Sequence, residues 1–424
     1  MLKASICTIG DELLIGQVVD TNSATVSRAI GAIGAKVTRM VSMPDDGRQI
    51  VSILKKELER NDIVISTGGL GPTKDDITKP ALAKLSGATG YYMHQGQLEI
   101  VKQILHSRGL DMLEINRLQA NVPDTCEVIL NKRGTAPIMV FRGLGKGNST
   151  LYAMPGVPFE TEAALEDVVA DIKAHYPMDN ILHHNIMTYG IAESALSKKI
   201  AAWEDSLPKQ VHLAYLPDPL KGVRLRLSIY SGTLDNEKQI IDSKIKELSD
   251  ILDDTIYSYE DDTLEGAIGK LLKKNGLTLS AAESCTGGEI AHLITTVPGS
   301  SSYFLGSVTS YAVSVKEKVL GVKSETIEKY GVVSSETARE MACGVRKLTG
   351  SDYAVSTTGY AGPGGGDKDN PEGTVWVGIA TPKGVFSQKF NYRNDRKRNI
   401  QRFAASALFT LLKQLKEEVK IAVN

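Results

Sequence analysis

The first 176 residues alternate between short apolar runs and amphipathic stretches. Apolar runs occupy residues 5–9, 36–43 and 63–65, and helix-like stretches occupy residues 21–33 and 48–59. This β-α-β-α-β order predicts right-handed crossovers and a mostly parallel sheet covered by helices on both faces, which is a three-layer αβα domain. Ligands of such sheets bind at the carboxyl ends of the strands. We therefore expect the loop that begins at Thr67 to line a binding site.

Two further blocks follow this domain. Residues 177–258 contain strand-like and helix-like runs with a charged helix at 235–252, which predicts a small α+β module. Residues 259–424 predict an α/β domain, because a helix capped by Thr263 precedes strand-like runs that alternate with helices. Those runs cover residues 277–282, 307–312, 353–358, 374–380 and 385–392. At about 150 residues per domain, a chain of 424 residues fits this division into three.

Composition excludes several classes of protein. Lys and Arg number 49 against 50 Asp and Glu, so no net field attracts nucleic acid or an anionic membrane. The chain has no signal-peptide pattern, and no apolar run approaches the length of about 18 residues that a membrane helix needs. The four cysteines lack CxxC spacing, which disfavours a zinc knuckle or a disulfide framework. We expect a cytoplasmic protein without membrane contact.

Ser284 lies where a predicted strand gives way to a helix, within the run AESCTGG at 282–288. Such a turn exposes a side chain, and amides at a helix N-terminus can stabilise an anion. The position fits a nucleophile, although a lone serine before Thr-Gly-Gly is more often a helix cap. His292, the only histidine of this block, is on the following helix, so a Ser-His-Asp triad is disfavoured. A desolvated Lys316 is an alternative base, although a lysine on a charged helix face is ordinarily solvated.

A glycine-rich segment at 357–366 lets the backbone approach a phosphate or a ribose closely, and by itself it also fits a flexible turn. Its candidate contacts are Thr358, Gly359 and Gly362. Arg396 and Arg398, at the start of the last helix, are candidates for the phosphate of a substrate, or they form a solvated basic turn.

Carboxylates and glycines also follow three predicted strands of the first domain. Gly68, Gly69 and Gly71 can present amides to phosphates, with Asp76 on the same loop, and the candidate metal ligands are Asp11, Asp45 and Asp75. A hard divalent cation held by these oxygens would neutralise a diphosphate. Each carboxylate alone is ordinarily a cap or turn residue, but their occurrence at successive strand ends favours a site.

Five motifs of the last block resemble the nicotinamide mononucleotide deamidase domain of the competence/damage-inducible protein A family. They are AESCTGG (282–288), VPGSSSYFLGSVTSYAVSVKEKVLGV (297–322), YGVVS (330–334), TTGYAGPGGG (357–366) and GTVWVGIA (373–380). The resemblance implies hydrolysis of nicotinamide mononucleotide to nicotinate mononucleotide and ammonia without a cofactor. It also implies that Ser284 is the nucleophile and that Tyr311 and Lys316 activate it.

The remaining predicted substrate-binding residues of this domain lie beside the nucleophile; they are Glu283, Thr286, Gly287 and Gly288. A thiol nucleophile at Cys285 is the alternative. A free cysteine beside a strand end is usually a small core residue, which favours Ser284.

The N-terminal loops, together with Gln119-Ala120 and the runs at 131–137 and 154–160, resemble the molybdopterin-binding-type domain of the same family. That resemblance implies metal-dependent, potassium-stimulated hydrolysis of ADP-ribose at its diphosphate, in a homodimer. Ile138 departs from the family pattern, which has glycine there, and disfavours close backbone approach at this position. The middle module resembles the KH-like domain of the family, but it lacks the glycine loop with flanking lysines that binds nucleic acid, so a structural role is expected.

The leading hypothesis is a bifunctional hydrolase of pyridine-nucleotide recycling. Two alternatives belong to other classes of function. The N-terminal domain could be a non-catalytic module that binds molybdopterin or a nucleotide. The whole protein could instead act through protein partners in competence or DNA damage, as the family name suggests.

Overall fold

The computed structural model describes residues 2–73, 76–145, 148–177, 182–229 and 234–423. Its contacts divide the chain into two compact units. The first consists of Met1–Leu182 with Ile229–Leu234, and the second consists of His183–Ser228 with Asp235–Asn424. Both units mix helices with partly parallel sheets, so the predicted α/β fold class is confirmed.

The first unit follows the predicted alternation of strands and helices. In chain order its elements are β1 (Lys3–Ile9), α1 (Asp11–Leu14), α2 (Thr21–Ala32), β2 (Lys36–Met43), α3 (Gly47–Leu58), β3 (Ile63–Thr67), α4 (Thr78–Ser86), β4 (Tyr91–Met93), α5 (Gln95–Ser107), α6 (Glu114–Arg117), β5 (Asn121–Pro123), β6 (Glu127–Ile129), β7 (Ile138–Leu144), β8 (Ser149–Met154) and α7 (Pro158–His175). A six-stranded sheet has the order β2-β1-β3-β8-β7-β6. It is parallel from β2 to β8 and antiparallel at β7 and β6.

Helices cover both faces of this sheet, which gives the predicted three layers. Successive residues of β3 alternate between the two cores: Val64 packs with α3 and α4, whereas Ile63 and Ile65 pack with α2 and α7. Because both faces are buried, the strand begins with three consecutive apolar residues rather than an alternating pattern. Ile138 is fully buried and opens β7, where it pairs with Ile129. The isoleucine that stands here, where the family pattern has glycine, is therefore a core side chain.

The second unit contains two sheets. Its elements are β9 (Leu182–Thr188), α8 (Glu193–Asp205), β10 (His212–Asp218), β11 (Gly222–Ile229), α9 (Leu234–Leu252), β12 (Ile256–Ser258), α10 (Leu264–Asn275), β13 (Leu279–Glu283), α11 (Glu289–Thr295), β14 (Phe304–Thr309), α12 (Val313–Leu320), α13 (Ser324–Tyr330), α14 (Ser335–Thr349), β15 (Tyr353–Gly359), β16 (Thr374–Ala380), β17 (Val385–Asn391) and α15 (Arg396–Val423). The small sheet has the order β10-β11-β9-β12, and the larger has the order β14-β13-β15-β16-β17.

The larger sheet is parallel at β14, β13 and β15 and antiparallel at β16 and β17. Helices α10, α11 and α15 share the main core on one face, and α12 and α14 pack on the other. The small module joins the main core, since the rings of Tyr189 and Phe409 lie 4.9 Å apart. Strand β14 ends at Thr309, three residues before the predicted end, so Tyr311 lies in the loop that leads to α12.

Among the described residues, no helix combines the length and the apolarity that crossing a membrane requires.

Helix α15 should carry much of the stability of the second unit. Leu408 on this helix is fully buried, so Leu408→Ala should lower the free energy of unfolding by about 2–5 kcal/mol. Leu348→Ala on α14 is the control, because its side chain is 55% exposed and should cost less than about 0.5 kcal/mol. Both tryptophans, Trp203 and Trp376, lie in this unit, so fluorescence during urea unfolding reports its transition. Equal effects of the two substitutions would contradict this packing.

Candidate functional site

Ser284 lies on a tight turn between β13 and α11. Its amide donates to the carbonyl of Thr357 on β15 (3.0 Å), and its carbonyl accepts from the Gly287 amide (3.2 Å). Gly287 and Gly288 have φ values of 64° and 107°, a backbone region that favours glycine. The turn places Ser284 in the wall of a cavity of about 230 Å³. The strand end therefore presents a serine to a pocket, as a nucleophile requires.

Lys316 reaches this serine from the first turn of α12. Only 2% of the residue is exposed, and its Nζ lies 2.9 Å from Ser284 Oγ. The same nitrogen donates to the carbonyls of Ser310 (2.6 Å) and Tyr311 (3.4 Å). Burial lowers the pKa of Lys316, and the nearby Cys285 thiol opposes this shift. A neutral amine has two N–H groups for the carbonyls and one lone pair, which is then free to accept the Ser284 proton.

Cys285 lines the same cavity but is a poor alternative nucleophile. It is 6% exposed, and burial raises the pKa of its thiol to about 12. The thiolate is the reactive form of cysteine, so a thiol with this pKa is inert near neutral pH. The geometry therefore favours Ser284 over Cys285.

Glu283 has a different position from the one expected of a substrate contact. Its carboxylate is fully buried and accepts the amides of Gly288 (3.0 Å), Ile290 (3.0 Å) and Ala291 (2.9 Å) at the start of α11. These are the amides that the sequence suggested for an external anion. An internal carboxylate satisfies them instead, and it stabilises the helix N-terminus beside Ser284.

The next three predicted contacts shape the turn rather than the pocket. Thr286 is buried, and its hydroxyl is 2.7 Å from that of Thr357. Within the described structure, neither Thr286 nor the two glycines after it line the cavity around Ser284.

The glycine-rich segment forms another wall of the cavity, through Thr358, Gly359 and Gly362. The Thr358 hydroxyl donates to the carbonyl of Val332 (2.6 Å), so the backbone of this segment is held in place. Arg396 donates from Nη1 to the Gly362 carbonyl (2.6 Å) and also lines the cavity. A guanidinium therefore lies beside a glycine loop, an arrangement that suits a phosphate.

Tyr311 contacts Lys316 through its backbone carbonyl and not through its phenol. Its carbonyl accepts from Lys316, whereas its hydroxyl accepts from Arg396 Nη2 (3.2 Å) and its side chain is 65% exposed. Arg398 does not line the pocket of Arg396 but a separate cavity of the same unit. The reason is helical geometry, because residues two positions apart point to different sides of a helix.

The first unit carries its own cleft, of about 530 Å³, at the carboxyl ends of the parallel strands. Gly68, Gly69 and Gly71 line it. Gly68 has a φ of 109°, and a side chain there would run into the Ile9 carbonyl, so this close approach requires glycine. Asp76 accepts the amides of Gly71 (2.8 Å) and Thr73 (2.8 Å) and thereby closes the loop.

Two of the predicted metal ligands, Asp11 and Asp45, come together. The Asp11 amide donates to an Asp45 carboxylate oxygen (3.1 Å), and the Asp45 amide donates to Asp11 (3.4 Å). Burial raises the pKa of Asp45, and the carboxylates of Asp11, Glu12 and Asp76 add to this rise. Asp75 lies outside the described residues. In the described part of the chain, no three His, Cys, Asp or Glu side chains are arranged to hold a metal ion by themselves.

Three residues of this cleft carry polar groups and are not among the predicted site residues. Gln119 is 3% exposed and lines the cleft, and its Oε1 has no hydrogen-bond partner among the described residues. Glu160 also lines it; burial raises the pKa of this carboxyl, and Asn131 donates to it (2.8 Å). Asn22 donates to the Gly156 carbonyl (2.7 Å). Gln119 and Glu160 lie in motifs noted in the sequence, and these motifs could have identified them as site residues.

Three family models match successive parts of the chain. They are the probable molybdopterin binding domain (residues 5–175), the damage-inducible protein CinA KH domain (183–258) and the CinA C-terminal domain (261–415).

Relatives match over nearly the full length. The CinA-like protein of Flavobacterium psychrophilum is 44% identical over 98% of this chain and 99% of its own, and that of Cytophaga hutchinsonii is 40% identical over the same shares. A crystal structure of the competence/damage inducible protein CihA from Agrobacterium tumefaciens is 35% identical over 36% of this chain and 93% of its own, with a TM-score of 0.35. The full-length identity shows that this chain belongs to the CinA family.

Proposed function

We propose that the second unit hydrolyses the carboxamide of nicotinamide mononucleotide. The observation that carries this proposal is the contact between Lys316 Nζ and Ser284 Oγ, 2.9 Å long and inside a pocket. Serine with lysine is an established variant of the nucleophile and base pair. The two carbonyls that accept from Lys316 orient its lone pair towards the serine.

The reaction proceeds in two halves. Neutral Lys316 removes the proton of Ser284 as Oγ attacks the amide carbon, which gives a tetrahedral intermediate. The lysine, now protonated, returns this proton to the departing nitrogen, so ammonia leaves and an ester with Ser284 remains. Water then attacks the ester, Lys316 again moves the proton, and the carboxylate product is released.

The substrate phosphate is assigned to the wall formed by Arg396 and the glycine-rich segment. The amides at the α11 N-terminus are held by Glu283, so they are not free to bind an external anion. Arg396 lines the same pocket as Ser284 and has further N–H groups beyond those it donates to Gly362 and Tyr311. The arginine and the nucleophile thus line one pocket, as the phosphate and the amide of a mononucleotide require.

For the first unit we propose cleavage of ADP-ribose at its diphosphate. Asp11 and Asp45 would hold the divalent cation, because magnesium usually takes one or two carboxylates together with substrate phosphates and water. When bound, the cation neutralises diphosphate charge. Asp45 and the glycine loop closed by Asp76 line one cleft, and Asp11, which is not among the lining residues, contacts Asp45. The exposed side chains of Val18 and Val19 offer apolar contacts for a base.

The nucleophile is tested by two adjacent substitutions. Ser284→Ala should lower ammonia release from nicotinamide mononucleotide by at least about 10³-fold, because the attacking oxygen is lost. Cys285→Ala should retain activity within a few-fold. Ammonia is measured by a coupled assay, with folding checked by tryptophan fluorescence. Activity that survives in Ser284→Ala and disappears in Cys285→Ala would make the enzyme a thiol amidase.

The base is tested by the pH dependence of the rate. Since the neutral form of Lys316 is active, kcat/KM should rise with pH through the lowered pKa of this lysine and then level off. Lys316→Arg should be inactive, because arginine keeps its proton at every working pH. Lys318→Ala, an exposed lysine on the same helix, is the control and should behave as the parent protein. Substantial activity in Lys316→Arg would show that only positive charge is needed.

The second activity is tested by AMP release from ADP-ribose with magnesium. Asp45→Asn should reduce it by at least about 10²-fold through the loss of a cation ligand, and Asp76→Ala should reduce it through opening of the glycine loop. Asp111→Asn, an exposed carboxylate outside the cleft, is the control. Deamidation should persist in all three variants. Normal AMP release by Asp45→Asn would show that the cleft is a binding module and not the site of cleavage.

A further inference from the structure

The second unit has another cavity, of about 820 Å³, between its small module and the start of α15. Three segments line it: the turn at residues 189–193, the turn at residues 217–223 and part of residues 392–402. Among the described residues, it shares no lining residue with the pocket of Ser284. Its volume lies within the range of about 300–1,000 Å³ that is usual for small-molecule sites.

One wall of this cavity is basic. Arg402 lies with its guanidinium carbon 4.8 Å above the ring of Tyr392, and its buried Nε has no hydrogen-bond partner in the described part of the chain. Arg398 is 74% exposed, and its Nε forms an ion pair with a carboxylate oxygen of Asp395 at 3.6 Å. Guanidinium groups bind phosphate well, because their planar N–H groups match its oxygens.

The other wall is mostly apolar and carries two acidic residues. The apolar residues are Ile191, Pro217, Pro219, Leu220 and Val223. Asp218 is committed to its own turn, where one carboxylate oxygen accepts the amides of Leu220 (2.8 Å) and Lys221 (3.1 Å). Glu193 offers carboxylate oxygens that can accept hydrogen bonds from sugar hydroxyls.

We propose that this cavity binds a nucleoside monophosphate. The phosphate lies on Arg398 and Arg402, the ribose hydroxyls face Glu193, and the base packs against the apolar wall. Each part of such a ligand meets a surface of matching chemistry, and the site is separate from both proposed reaction centres.

The test uses the full-length protein and hydrogen exchange measured by mass spectrometry. AMP should slow exchange in peptides that cover residues 189–193 and 217–223, and inorganic phosphate at the same concentration should protect them much less. Arg402→Gln should weaken this AMP protection by about tenfold in apparent Kd, through loss of a charged hydrogen bond. Arg398→Gln should act in the same direction. Arg393→Gln, an exposed arginine outside the cavity, should leave the protection unchanged.

Several results would overturn the proposal. They are AMP protection confined to other regions, equal protection by phosphate alone, or unchanged protection in both arginine variants. If Arg402→Gln fails to fold, Arg398→Gln decides, because its side chain is largely solvent-exposed. The readout does not depend on turnover, so it remains valid even if neither proposed hydrolysis is observed.

Discussion

Removal of Lys316 from water is the constraint on which the proposed chemistry depends. A charged ammonium loses solvation when it is buried, so burial favours the neutral amine. Two backbone carbonyls, at Ser310 and Tyr311, accept the N–H groups of this amine and leave its lone pair for Ser284. Strand β14 and helix α12 must meet in this geometry for the carbonyls to be in place. The same contact therefore links the fold of the edge strand to the reactivity of the serine.

The nucleophile turn depends in the same way on a buried carboxylate. Glu283 ends β13 and binds three amides of α11, so the strand and the helix are tied on either side of Ser284. This role explains why a helix N-terminus beside a nucleophile need not bind the substrate anion. In the first unit, Asp76 acts comparably by binding two loop amides beside the glycines of the cleft. In both units an acidic side chain orders a glycine turn at the end of a strand.

Much of this structure could be predicted from the sequence, because apolar runs such as β3 and the motif around Ser284 are strong local signals. The predicted end of β14 is three residues late, because Ser310 and Tyr311 are residue types that are compatible with a strand. Only the structure shows that their carbonyls accept hydrogen bonds from Lys316 instead. The role of Glu283 could not be predicted, because its partners are set by the direction in which α11 leaves the turn. Arg396 and Arg398 line different cavities because of helical geometry, so this difference could have been predicted from the sequence.

In the proposed reaction, Ser284, activated by neutral Lys316, attacks the substrate amide and forms an ester. The most direct measurement is mass spectrometry of the protein quenched in acid during turnover of nicotinamide mononucleotide, followed by peptide mapping. An acyl adduct is expected on the peptide that contains Ser284, located on the serine oxygen and absent from Ser284→Ala. An adduct on Cys285, or turnover that continues in Ser284→Ala without any adduct, would contradict this mechanism.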